Sequence, residues 1–130
     1  MASARKSLIG ILSLFFKRKD KKSRFHILHY EMWDYIAGEL EKAKPRDLRA
    51  SNFVVSLKVS FCMVNSKNES ILFDCYLCDF YSRCSECPLF RKYKMFCCED
   101  NSLYTIAKSP GHSRKERVEA ARKIRDCIRS

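Results

Sequence analysis

The chain has 130 residues, with 26 Lys or Arg against 15 Asp or Glu and a formal net charge of +11. This length fits one domain with at most a flexible arm, and only three Gly and three Pro exclude a linker or low-complexity protein. We therefore expect a small core that a bound metal would help to stabilise.

The positive charge is concentrated near the N-terminus, where residues 1–24 hold eight Lys or Arg and a single acidic residue, Asp20. We predict a basic arm over 1–24 and a single domain over 25–130. A dense basic arm favours polyanionic partners, although it is also typical of an ordinary solvated surface. The candidate nucleic-acid contacts in the arm are Lys17, Arg18, Lys19, Lys21, Lys22 and Arg24.

Within the arm, residues 7–16 read Ser-Leu-Ile-Gly-Ile-Leu-Ser-Leu-Phe-Phe. A basic run follows them instead of a small-residue cleavage site, and ten residues are too few to span a bilayer. We therefore expect a cytoplasmic protein. The segment predicts a short apolar helix that packs on the domain or on a partner. The alternative is an interfacial helix that lies on an anionic membrane.

The next predicted element is an amphipathic helix over 25–44, which Pro45 ends. Residues 53–63 alternate apolar and polar side chains, which predicts a half-buried strand, and 71–76 would be the returning strand of a hairpin. Residues 101–107 are compatible with one more extended segment. The sequence therefore predicts an α+β fold, in which the hairpin leads into a cysteine knuckle between an N-terminal amphipathic helix and a C-terminal basic helix.

The C-terminal helix is predicted to begin at Ser113, because Ser113 and Glu116 have the spacing of a capping box. It should extend to about residue 128, with an apolar stripe and many basic side chains around it. We expect this helix to offer a second basic face to a polyanion. Its candidate contacts are Arg114, Arg117, Arg122 and Arg125.

Eight cysteines are present, and in a reducing cytosol clustered cysteines are typical of metal ligands. Two Cys-x-x-Cys units, separated by five residues, can hold one tetrahedral ion through four thiolates. The spacing predicts a structural zinc, and an iron–sulfur cluster is the alternative because Pro88 follows the last cysteine. The predicted ligands are Cys75, Cys78, Cys84 and Cys87, with Cys97 or Cys98 as a substitute.

No catalytic motif accompanies this cluster, and His26 and His29 are too few to suggest a catalytic set. A zinc ion closed by four thiolates has no open position for a substrate. We therefore expect a protein that is not an enzyme.

The Cys-x-x-Cys pairs, with Pro88-Leu89 and Cys97-Cys98 after them and an aromatic helix containing Trp33 before them, resemble small cysteine-rich proteins of bacteriophages and prophages. The resemblance implies a phage setting and a bacterial host cytosol, and most such proteins have no assigned function. The leading hypothesis is an accessory protein that binds nucleic acid or a host nucleoprotein complex. The alternatives are a host-takeover or anti-defence inhibitor that blocks a bacterial nuclease or effector, and a membrane-surface protein acting through residues 7–24.

Overall fold

A computed structural model describes residues 21–65, 81, 84–95 and 101–128, and every regular element within them is helical. The basic residues 17–19 and the apolar segment 7–16 lie outside these residues. The elements, in chain order, are α1 (Lys21–Lys42), α2 (Pro45–Arg49), α3 (Phe53–Asn65), a 3₁₀ turn (Cys84–Glu86), α4 (Pro88–Tyr93), α5 (Leu103–Lys108) and α6 (Arg114–Asp126).

The predicted amphipathic helix is confirmed as α1, which begins at Lys21, four residues earlier than expected. Its buried side chains recur every three or four residues, so they form one stripe that faces the core. Pro45 stands in the first turn of α2, where its missing N–H leaves no helical hydrogen bond unmade. The buried apolar side chains of α1 include Phe25, Leu28, Met32, Trp33, Ile36 and Leu40.

Helix α6 packs along α1 in the antiparallel direction. Arg114, at the start of α6, contacts the last turn of α1, whereas the Ile124 carbonyl lies 2.7 Å from Nε2 of His29, near the start of α1. Because a carbonyl oxygen only accepts, Nε2 of His29 carries the proton. The predicted capping box at the start of α6 is confirmed, since the Ser113 side chain accepts from the Glu116 amide and Glu116 accepts from the Ser113 amide.

The predicted strand over 53–63 is wrong, because these residues form helix α3. The apparent alternation also contains a helical stripe, and it is this stripe of Val54, Leu57 and Phe61 that is buried. Val59, predicted on the same face as Leu57, is 53% exposed. Burial of the helical stripe outweighs the strand preference of the valines, as tertiary packing commonly does.

The α+β prediction is therefore wrong for the part of the chain that the structure describes. The expected extended segment over 101–107 is largely helix α5, whose N-cap Ser102 accepts a hydrogen bond from the Thr105 amide at 3.1 Å. The predicted returning strand over 71–76 lies outside the described residues. None of the described helices is long and apolar enough to cross a membrane.

One core joins α1, α3, α5 and α6, and it contains Trp33, Ile36, Leu57 and Phe61, as the sequence predicted. Trp33 is completely buried, and its ring meets Tyr104 of α5 edge-to-face, with the ring centroids 5.9 Å apart. This aromatic pair connects the longest helix to the short α5, which has too few residues to be stable alone.

Replacing Trp33 with Ala should lower the free energy of unfolding by about 3–5 kcal/mol, because it removes a fully buried side chain and leaves a cavity. Urea unfolding of the full chain measures the change. Replacing Val55, which is 43% exposed, with Ala is the control and should change it by less than about 0.5 kcal/mol. Equal effects of the two substitutions would contradict the placement of Trp33 in the core.

Candidate nucleic-acid interface

The basic run continues directly into the first turn of α1. Lys21 and Lys22 begin the helix, and the first turn contains no acidic residue. Arg24 is half-buried, and its guanidinium lies 5.8 Å from the centre of the Phe25 ring. The N-terminal end of a helix carries partial positive charge, so these side chains add to a positive potential instead of compensating it.

The C-terminal helix uses Arg114 and Arg122 at the opposite end of α1. Arg114 Nη1 donates to the carbonyls of Leu40 and Glu41 at 3.2 and 2.8 Å. These are among the last carbonyls of α1, which have no partner within their own helix, and a cation is stabilised there by the helix dipole. Arg122 forms an ion pair with the Glu41 carboxylate. Both arginines therefore hold α6 onto α1, although Arg122 also remains exposed to solvent.

Arg125 occupies the middle of the same contact. Its Nη1 donates to the Asp34 carboxylate at 2.8 Å, and its guanidinium binds Asp126 at 2.9 and 3.0 Å. It also lies 5.4 Å from the centre of the Tyr30 ring. The hydrogen bonds from Asp126, followed by that from Asp34, hold the pKa of Arg125 above its ordinary value. A phosphate would have to compete with two carboxylates for this guanidinium.

Arg117 has no exposed surface at all. Its Nε donates to the Ala107 carbonyl at 3.0 Å, and its Nη1 donates to the Leu48 carbonyl at 2.7 Å. These carbonyls belong to the last turns of α5 and α2, whose C-terminal partial negative charge favours the cation. Burial lowers the pKa of the guanidinium. Arg117 thus fastens two short helices to α6, and it does not belong to a surface that a nucleic acid can reach.

A signal for this burial was present in the sequence. Arg117 precedes Ala121 by four residues and Ile124 by seven, so it lies on the apolar stripe of α6. Sequence reasoning also missed several basic side chains that the structure leaves exposed on other elements. They are Lys44, Arg46 and Arg49 around α2, Arg91, Lys92 and Lys94 around α4, and Lys115 and Lys123 on α6.

The second Cys-x-x-Cys unit surrounds a tight turn. Cys84 begins the 3₁₀ turn, and Cys87 follows it as the N-cap of α4, with a buried side chain. This local path suits the chelation of one ion by two thiolates, which requires a short reversal of the backbone. No group of three or more potential metal ligands occurs among the described residues. Cys75, Cys78, Cys97 and Cys98 lie outside them, as does the side chain of Cys84.

Cys127, predicted as a core residue, is buried beside α1, with its Sγ 3.6 Å from Nε2 of His29. Burial, and next the proximity of Cys87, raises the pKa of the Cys127 thiol to about 12. At neutral pH this cysteine is therefore a protonated thiol, which is unreactive as a nucleophile. Nearby, His26 Nε2 and the Tyr81 hydroxyl are 2.9 Å apart, so that Tyr81 is held against the start of α1.

Comparisons with known proteins find no protein-family model, curated protein or solved structure that matches this chain. The resemblance to cysteine-rich phage proteins therefore stays a prediction. Arguments about function have to rest on the residues of this chain: the basic run, the cysteine pairs and the helices that position them.

Replacing Arg117 with Met, which keeps much of the side-chain volume, should destabilise the protein. It leaves the Ala107 and Leu48 carbonyls without their donors, at about 1–3 kcal/mol for each buried carbonyl that finds no other partner. Urea unfolding is the measurement, and Lys123→Met on the exposed face of α6 is the matched control. If the two variants are equally stable, Arg117 does not hold α2 and α5 to α6.

Proposed function

We propose that this protein is a small, non-catalytic accessory protein that binds nucleic acid through the phosphate backbone. The observation that carries this proposal is the run Lys17–Arg24, in which six of eight residues are basic and whose last part forms the first turn of α1. Like charges this close together repel one another, and a polyanion relieves that repulsion while releasing its own counterions.

The basic run, and not the C-terminal helix, is the main proposed contact. Internal partners already hold Arg114, Arg117 and Arg125, whereas Arg122 is exposed beside Glu41 and Lys115 and Lys123 face the solvent. The run itself contains no aromatic side chain that would stack on a base. Contacts to phosphates alone position a protein on nucleic acid without reading its sequence, so we expect little sequence preference.

We further propose that the cysteine pairs hold one structural zinc, with Cys75, Cys78, Cys84 and Cys87 as ligands and Cys97 or Cys98 as a substitute. Support comes from the ligand spacing and from the tight turn between Cys84 and Cys87. Such an ion would stabilise a segment of the chain with little regular apolar patterning. A phage setting in a bacterial cytosol, where thiols stay reduced, belongs to the same proposal.

Replacing Lys17, Arg18, Lys19, Lys21 and Lys22 with Gln should weaken binding to a random-sequence DNA duplex by orders of magnitude. Fluorescence anisotropy over a series of salt concentrations measures both affinity and its salt dependence. The slope of log K against log salt should decrease by about 0.9 for each phosphate contact that is lost.

The matched control removes the same five charges from exposed positions elsewhere. It replaces Arg49, Arg91, Lys94, Lys115 and Lys123 with Gln and should keep most of the salt slope. Equal losses in the two variants would mean that net charge, and not the basic run, drives binding. If the natural protein does not bind the duplex even at low salt, the nucleic-acid proposal fails and a protein-directed inhibitor becomes the leading hypothesis.

The purified protein should contain about one zinc per chain, because four thiolates complete one tetrahedral site. Mass spectrometry under native conditions and elemental analysis measure this content. Replacing Cys75 with Ser should remove the metal and lower the thermal unfolding temperature, whereas Cys62→Ser, at a half-buried cysteine of α3, should keep the metal. A brown protein with visible absorption would indicate an iron–sulfur cluster, and a stable protein without metal would refute the site.

A further inference from the structure

The outward face of α3 is an uncharged apolar stripe. Val55, Val59 and Met63 follow one another at intervals of four residues, with exposed fractions of 43, 53 and 72%, and Val64 beside them is 46% exposed. Lys58, the single charged residue of α3, is buried, and its Nζ donates to the Tyr104 hydroxyl at 3.0 Å. A contiguous apolar face without charge is typical of a contact surface, unlike isolated exposed apolar residues.

The size of this face limits what can cover it. The stripe from Val55 to Met63 is about 12 Å long at 1.5 Å per helical residue. A stable dimer of identical chains commonly buries about 800 Å² on each partner, which is more than four side chains on one helix provide. A single short helix fits the stripe better. We propose that residues 7–16 of the same chain pack along it.

The direction of α3 brings its end toward the N-terminal side of α1. The Leu48 carbonyl, shortly before α3, is bound by Arg117, and Arg114 three residues earlier binds the last turn of α1. Helix α3 therefore begins near the end of α1. Its later residue Phe61 lies beside Tyr35, with the ring centroids 6.0 Å apart, so α3 runs back along α1.

The connecting residues have the length that the proposal needs. Measured along the helices from the Tyr35–Phe61 contact, Lys21 is about 21 Å away and Met63 about 3 Å away in the same direction. The remaining separation of about 18 Å matches the five extended steps from Phe16 to Lys21, at up to about 3.6 Å each. The intervening residues 17–20 are mostly basic, and like charges favour an extended chain.

The composition of residues 7–16 also fits the stripe. The segment contains no charged residue, and as a helix it would be about 15 Å long. Leu8, Ile11, Leu12 and Phe15 recur at intervals of three and four residues, so a helix would present them on one face. The inference concerns packing within one chain, and it stands whether or not the basic run binds nucleic acid.

A photo-crosslinking experiment on the full-length, metal-loaded protein tests the proposal. A benzophenone amino acid replaces Val59, whose exposure means that the substitution should not disturb the core. After irradiation and trypsin digestion, mass spectrometry should find the peptide of residues 59–67 joined to that of residues 7–17, in a product of monomer size. The same amino acid at Glu119, on the exposed face of α6, is the control and should not capture residues 7–17.

Adding Leu12→Lys to the protein with the photo-reactive residue at position 59 should abolish this link, because burial of an ammonium group against an apolar face is unfavourable. Circular dichroism checks that the helical content is retained. A crosslinked product of dimer size would show that a second copy covers the stripe, and would overturn the proposal. Capture of other peptides only, or no capture, would overturn it as well.

Discussion

Helix α6 lies antiparallel along α1, and its arginines make polar contacts along this junction. Arg114 binds the last carbonyls of α1, and Arg125 binds Asp34. Arg117, completely buried, then fixes the ends of α2 and α5. Because α3 follows α2 within four residues, its position depends on the same anchor. The arrangement of the short helices therefore follows from one helix pair and from the guanidinium groups that satisfy exposed carbonyls.

This use of arginine changes the meaning of the net charge. A total of +11 suggests a protein coated in positive charge, but Arg117 contributes to the total from a site without solvent, and Asp34 and Asp126 largely compensate Arg125. A cation is favourable at a helix C-terminus and unfavourable at an N-terminus. The arginines of α6 occupy favourable positions, whereas Lys21 and Lys22 occupy an unfavourable one, where an external anion has more to stabilise.

Much of the helical core was predictable from sequence, because the spacing of apolar residues in α1 and the capping box of α6 each allow one solution. Helix α3 was not, since Val54, Leu57 and Phe61 fit a helical stripe while Val55, Val59 and Met63 complete an alternating pattern. Only contact with α1 and α5 decides which set is buried. In the candidate site, the periodicity of α6 could have identified Arg117 as internal, but the carbonyls that it binds come from helices distant in sequence.

Packing of residues 7–16 on α3 would also affect how the basic run meets a polyanion. A run attached to the domain at one end only would lose much conformational freedom on binding, and that loss weakens association. A run attached at both ends is already restricted, and its extended path keeps successive charges at a spacing that a phosphate backbone can follow. The two proposals would then reinforce each other, because an apolar contact within the chain would reduce the entropy lost when Lys17, Arg18 and Lys19 bind phosphates.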